Sequence, residues 1–168
     1  MISDPLLHQL SVRAKSFIGA IIFQRFCSKY ALPDEFIDSS IKHWCDLAAS
    51  ESLGDWDAKG SMASASNQEL RDFVKAKNVD EDFIPLYNEG QNIGICDLYT
   101  VPSGESIESL IKMIEIAKKH NIQLPDFTLF LEHTKTTEGN QYWDGWREPV
   151  NAELLNRWEM QLQGVSNG

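Results

Sequence analysis

Histidines, cysteines and serines are the side chains in this chain best suited to cutting, transferring or ligating, and their spacing works against each role. His8, His43, His120 and His133 are scattered, with no two at i,i+4 where one helical face would bring both to a metal. There is no H-E-x-x-H, no Cys/His ligand set and no calcium-type Asp loop. Glu132-His133 would make an acid/base pair only if both entered one pocket, and adjacent side chains point apart. Ser64, Ser66 and Ser103 fit turn and capping roles, and no G-x-S-x-G elbow is present. Cys27, Cys45 and Cys96 are an odd, widely spaced set without C-x-x-C, which reads as reduced thiols in the core. No Walker loop or G-x-G-x-x-G is present to hold phosphates. Ser103-Gly104 could offer free amides to an anion, but Glu105 and Glu108 already supply that charge. Neither a metal nor a cofactor is expected. An enzyme using carboxylates or His133 near the aromatic loop at 141–147 stands as the alternative, because paired carboxylates abound.

Carboxylates are the feature that stands out, through their distribution. Residues 31–57 hold seven acids (Asp34, Glu35, Asp38, Asp46, Glu51, Asp55, Asp57) against Lys42 alone, and residues 80–115 hold eight against Lys112 alone. The first thirty residues lean the other way, with Arg13, Lys15, Arg25 and Lys29 facing only Asp4. The formal net charge is −10 and the pI near 4.8, a field that repels nucleic acid and anionic membranes and attracts a basic partner. No apolar run approaches bilayer length, and the N-terminus lacks the pattern of a signal peptide, so a cytoplasmic protein is expected.

Two Trp-Asp elements add ring area to this charge. Trp56 lies between Asp55 and Asp57, while Trp143 and Trp146 flank Asp144-Gly145. Aromatic rings beside acids suit a contact surface for Arg and Lys, the rings for desolvated packing and the carboxylates for charge. The same rings could instead fold back as lids, their indole N–H groups bonded to nearby carbonyls. Asp34, Asp38 and Lys42 are spaced at i,i+4, which offsets some of the acidity there. Asp46, Glu51, Asp55, Trp56 and Asp57 have no such offset and form the preferred partner-binding set, with Trp143, Asp144 and Trp146 secondary.

Helices must position these residues. Asp4-Pro5 opens a helix to about residue 30, whose apolar stripe (Leu10, Phe17, Ile21 and others) makes it the central packing element. A second runs from Pro33 to about residue 49. Residues 50–65, with two Gly and four Ser, read as a loop carrying Trp56. Ser66 to Glu69 is a capping-box pattern that opens a helix to about residue 77, with a short helical turn expected over 80–87. Residues 93–101 look most like a strand, and a helix follows from Glu105 to a Lys118-Lys119-His120-Asn121 stop. Residues 127–135 are ambiguous, 136–148 form an aromatic loop, and a last helix spans about 151–163. The prediction is a mainly α, single-domain, irregular bundle of five to seven helices over 1–163, with a flexible tail at 164–168. A small strand in 93–101 is an option, and an α+β form with a strand–helix–strand unit over 93–135 is the alternative.

In size, acidity, aromatic loops and lack of catalytic motifs the chain resembles the immunity proteins of bacterial polymorphic and contact-dependent toxin systems. That resemblance covers general character across the whole chain and carries over no functional residue. It implies a compact, cytoplasmic, non-catalytic inhibitor of a basic toxin, a nuclease among the options, occluding the toxin's functional surface. A scaffolding or regulatory module is a further alternative. Neither nucleic acid nor membrane is expected as a partner, and the oligomeric state is left open.

Overall fold

Residues 12–29 place apolar groups on every side of a helix, and a helix apolar all round belongs inside a fold. In a computed structural model, which describes residues 5–99, 104–134 and 146–163, fifteen of the eighteen residues of this helix (α1, Val12–Lys29) are buried. Six further helices follow: α2 (Glu35–Asp46), α3 (Leu53–Ala63), α4 (Asn67–Lys77), α5 (Phe83–Ile95), α6 (Glu105–Lys119) and α7 (Ala152–Gln163). α5 and α6 pack on each other and on α1, α2 closes another side of α1, and α3 rests chiefly on α2. The architecture is the expected mainly α bundle, with seven α-helices among the described residues. None of those helices is long and apolar enough to cross a membrane.

Caps set several boundaries. Ser11 Oγ accepts from Ala14 N at 3.1 Å, so α1 starts at Val12. The expected start at Asp4-Pro5 is displaced: Leu7–Gln9 is a short 3-10 turn, and Leu10 is extended, bridging antiparallel to Thr134. Ser66 and Glu69 form the capping box reciprocally, at 3.2 and 2.7 Å, and α4 begins there.

Two expected elements change type, and in each a glycine is a packing contact. Residues 50–65 contain α3, capped by Ser52 Oγ on Asp55 N at 3.2 Å. A Cβ at Gly60 would lie 2.2 Å from His43 Nε2, so α3 approaches α2 closely only because residue 60 has no side chain. The strand-like segment is likewise the end of α5 followed by turns over 96–99; residues 100–101 lie outside the described residues. Gly90 and Gly94, one helical turn apart, face Trp44 and Trp56, where added Cβ atoms would come within 2.5 Å of the rings. Helical spacing is what lets both rings seat, and that outweighs the β propensity of Ile93 and Ile95. The strand–helix–strand alternative also falls, since Phe127–Phe130 is a 3-10 turn capped by Asp126 and no strand forms among the described residues.

The core is aromatic around α1: Phe23 packs on Trp44, Phe83 and Tyr87 with ring centroids 5.2 to 5.7 Å apart. A satellite cluster of Val12, Leu47, Trp56 and Trp146 lies apart from it and underlies the acidic stretch.

Candidate functional site

The frame of the site begins with a charge in the interior. Arg13 is fully buried at the start of α1, where its guanidinium donates to the carbonyls of Leu47 (2.5 Å), Ser50 (2.8 Å) and Arg147 (3.0 Å). Those carbonyls belong to the end of α2, the connection to α3 and the segment before α7. One side chain therefore fixes three segments, and Val150 N adds a bond to Ala48 O at 2.8 Å. Burial lowers the Arg13 pKa to about 10 against the opposing pull of Glu148, so it stays charged at neutral pH.

On this frame Trp56 sets the position of α3. Its indole N–H donates to His43 O at 2.7 Å, and its ring stacks on the His43 imidazole with centroids 4.4 Å apart and planes 8° from parallel. The ring is 4% exposed. Of the two sequence readings for Trp56, the folded-back lid describes it, and it offers no free ring to a partner. Trp146 is also 4% exposed, packed in the satellite cluster, while Trp143 and Asp144 lie outside the described residues.

Around Trp56 the predicted acids separate into two groups. Asp46, Glu51 and Asp55, from α2, the connection and α3, line one groove of about 500 Å³ together with one edge of Trp56. α7 supplies Leu155 and Glu159 to the same groove, and Lys59 is the cation there. Asp57 points to the other side of the Trp56–His43 stack, into a smaller hollow of about 150 Å³, and accepts from Tyr99 Oη at 2.8 Å. Lys42 pairs with Asp46 at 2.6 Å rather than offsetting Asp38, although both partners are exposed and the bond is worth only a few tenths of a kcal/mol. His43 borders both hollows; burial pushes its pKa down, opposed by Asp46 and Asp57. Glu159 and Leu155 were not singled out from the sequence as site residues. Their i,i+4 spacing puts both on one face of the last helix, but only folding brings that face to the acids of α2 and α3.

Residues with chemistry elsewhere are held in structural roles. His133 is buried, with Nδ1 2.7 Å from Ser11 Oγ and Nε2 2.8 Å from Glu148 O. Glu132 turns outward onto Arg157 through two 2.7 Å bonds, so the Glu132-His133 pair diverges. Burial raises the Cys27 and Cys45 thiols far from the thiolate range and Cys96 to about 12, which makes all three poor nucleophiles. Asp80, Asp82 and His120 present atoms within 4.8 Å of one another, a spacing that could hold a metal ion. Asp82 already accepts from Lys119 (2.5 Å) and meets His120 Nε2 (2.8 Å), while Tyr30 Oη contacts Nδ1 at 2.6 Å. This cluster works as an ion-paired tie between the start of α5 and the end of α6. No protein-family model, curated protein or solved structure matches this chain.

Proposed function

We propose that this chain is a non-catalytic acidic binding protein that captures a basic protein partner, acting as an immunity protein that occludes a toxin's functional surface. The observation that carries the reading is the convergence of Asp46, Glu51, Asp55 and Glu159, from four separate segments, on one groove. Clustered carboxylates beside partly buried apolar surface suit Lys and Arg side chains with their apolar stems. Opposite charge also speeds encounter, which is what neutralising a lethal enzyme requires.

Where the neighbouring gene encodes a toxin with a basic domain, co-expression with that domain tests this directly: growth should be rescued and the two proteins should co-purify at low salt. Loss of rescue in Asp46→Lys/Asp55→Lys, with the fold intact by circular dichroism, is the expected companion result. Two proteins that fail to associate even at low salt would rule the reading out.

A further inference from the structure

The groove does not end at Asp46. A second hollow of about 470 Å³ shares Cys45, Asp46 and Glu159 with it, and a third of about 480 Å³ shares Gln24, Asp38 and Ile41 with the second. Among the α2 positions lining this series, Ile37, Ile41 and Cys45 form one row beside Asp38, Lys42 and Asp46, and Ala49 continues that row just beyond. Those are steps of i,i+4, so one row of α2 borders the series along its length, buried at Ile37 and Ile41 and partly exposed from Cys45 onward. α7 adds Leu155, Glu159 and Leu162, also one face, and α1 adds Phe17, Gln24 and Ser28 from beneath. α7 itself packs chiefly on α1 and the 127–130 turn, which leaves the space between it and α2 open. Three helices each contributing a stripe to one channel is the arrangement of a bundle with room for another helix.

Chemistry narrows what would fill it. Ile41, Cys45, Leu155 and Leu162 make an apolar floor, and Gln24 Oε1 there is buried without a hydrogen-bond partner. Five carboxylates stand along the rim (Asp38, Asp46, Glu51, Asp55, Glu159) against two lysines, one already paired with Asp46. We propose that the channel between α2 and α7 receives a basic amphipathic helix of the partner protein, its apolar stripe on the floor and its Lys and Arg side chains along the rims. The length of α2 and α7, twelve residues each, sets the occupant at about three turns or 18 Å. This rests on the basic-partner reading and names the element that would be recognised.

The test uses the full chain, ¹⁵N-labelled, at low salt, and two synthetic Leu/Lys peptides of identical composition. One places Leu at i, i+3, i+4 and i+7; the other has the same residues in scrambled order. The amphipathic peptide should shift amides at Gln24, Ile41, Cys45 and Leu162 and bind at least about tenfold more tightly than the scrambled one. Leu155→Lys and Leu162→Lys should each weaken it by about tenfold, whereas Met160→Lys, at an exposed position of α7, should not. The wild-type shift map stands even if a variant fails to fold. Equal binding of both peptides would overturn the proposal while leaving an acidic, charge-only surface. Groove shifts that appear with protein concentration alone would make the occupant a second copy and overturn it too. Binding by neither peptide would remove the groove and count against the basic-partner reading as well.

Discussion

His133 is held between a hydroxyl and a carbonyl. Glu148 O can only accept, so Nε2 carries the ring proton and Nδ1 accepts from Ser11 Oγ. A second proton on Nδ1 would force the Ser11 hydroxyl to turn from donor to acceptor, and burial lowers the pKa from 6.5 to about 4. Because the folded pKa is depressed, the unfolded chain takes up the proton first as pH falls. The stability this group contributes is complete above about pH 6.5 and is lost on the way down to about pH 4. Urea melts should therefore give a chain about 2 kcal/mol less stable at pH 5 than at pH 7.5 from this group. His133→Gln should flatten that pH slope. A second residue-scale expectation concerns Gly94: alanine there would set a Cβ 2.5 Å from Trp56 Cη2, and overpacking should cost about 1–3 kcal/mol in the same melts.

Among the helices, α3 depends most on a single side chain. It packs mainly on α2, and Trp56 is its one fully inserted large side chain among the described residues. Trp56→Ala should therefore release α3 selectively. Hydrogen exchange of α3 amides should approach that of a frayed segment, while α1, α5 and α6 stay protected. At this scale, what could be seen in the chain depended on whether the signal was local. The Ser66/Glu69 box, the buried axis at 12–29 and the helix ending at His120 were legible because caps and apolar periodicity lie next to one another in sequence. α3 and the second half of α5 were not, because Gly60 looks like a breaker and Ile93 and Ile95 favour a strand until the rings that Gly60, Gly90 and Gly94 accommodate are known. The acidic groove was half legible. Asp46, Glu51 and Asp55 stood out by charge, whereas Glu159 joins them only through folding and Asp57 leaves them only because α3 is helical.

Across the whole molecule, the basic start of the chain does not balance the acidic surface. Arg13, Lys15 and Arg25 are buried, donating to carbonyls or, for Lys15, to Ser106 Oγ at 2.5 Å. Asp97 is the carboxylate buried with them among the described residues, so the exposed acidic excess is larger than the formal −10 suggests. Association with a basic protein should accordingly be steered. Stopped-flow rates should fall by roughly tenfold between 20 and 150 mM salt. Asp55→Lys should slow the on-rate more than Asp57→Lys, since Asp57 lies behind the Trp56–His43 stack and is bonded to Tyr99. Equal effects would mean that the long-range field, not the groove, governs encounter.

The contacts that frame the groove also set when it can exist. Arg13 reaches Arg147 across 134 positions, and Ser11 reaches His133 across 122. Pairings of such high contact order close late, because most of the chain must be ordered or at hand before they form. During synthesis from the N-terminus, α1 to α6 can pack on one another while Arg13 still lacks one of its three carbonyls and α7 is unmade. Nascent chains arrested after α6 should be compact yet unable to capture a basic partner, as a pull-down on stalled ribosomes would show. On the proposed reading, capture of a partner becomes possible only once α7 has docked, which separates the time of folding from the time of action.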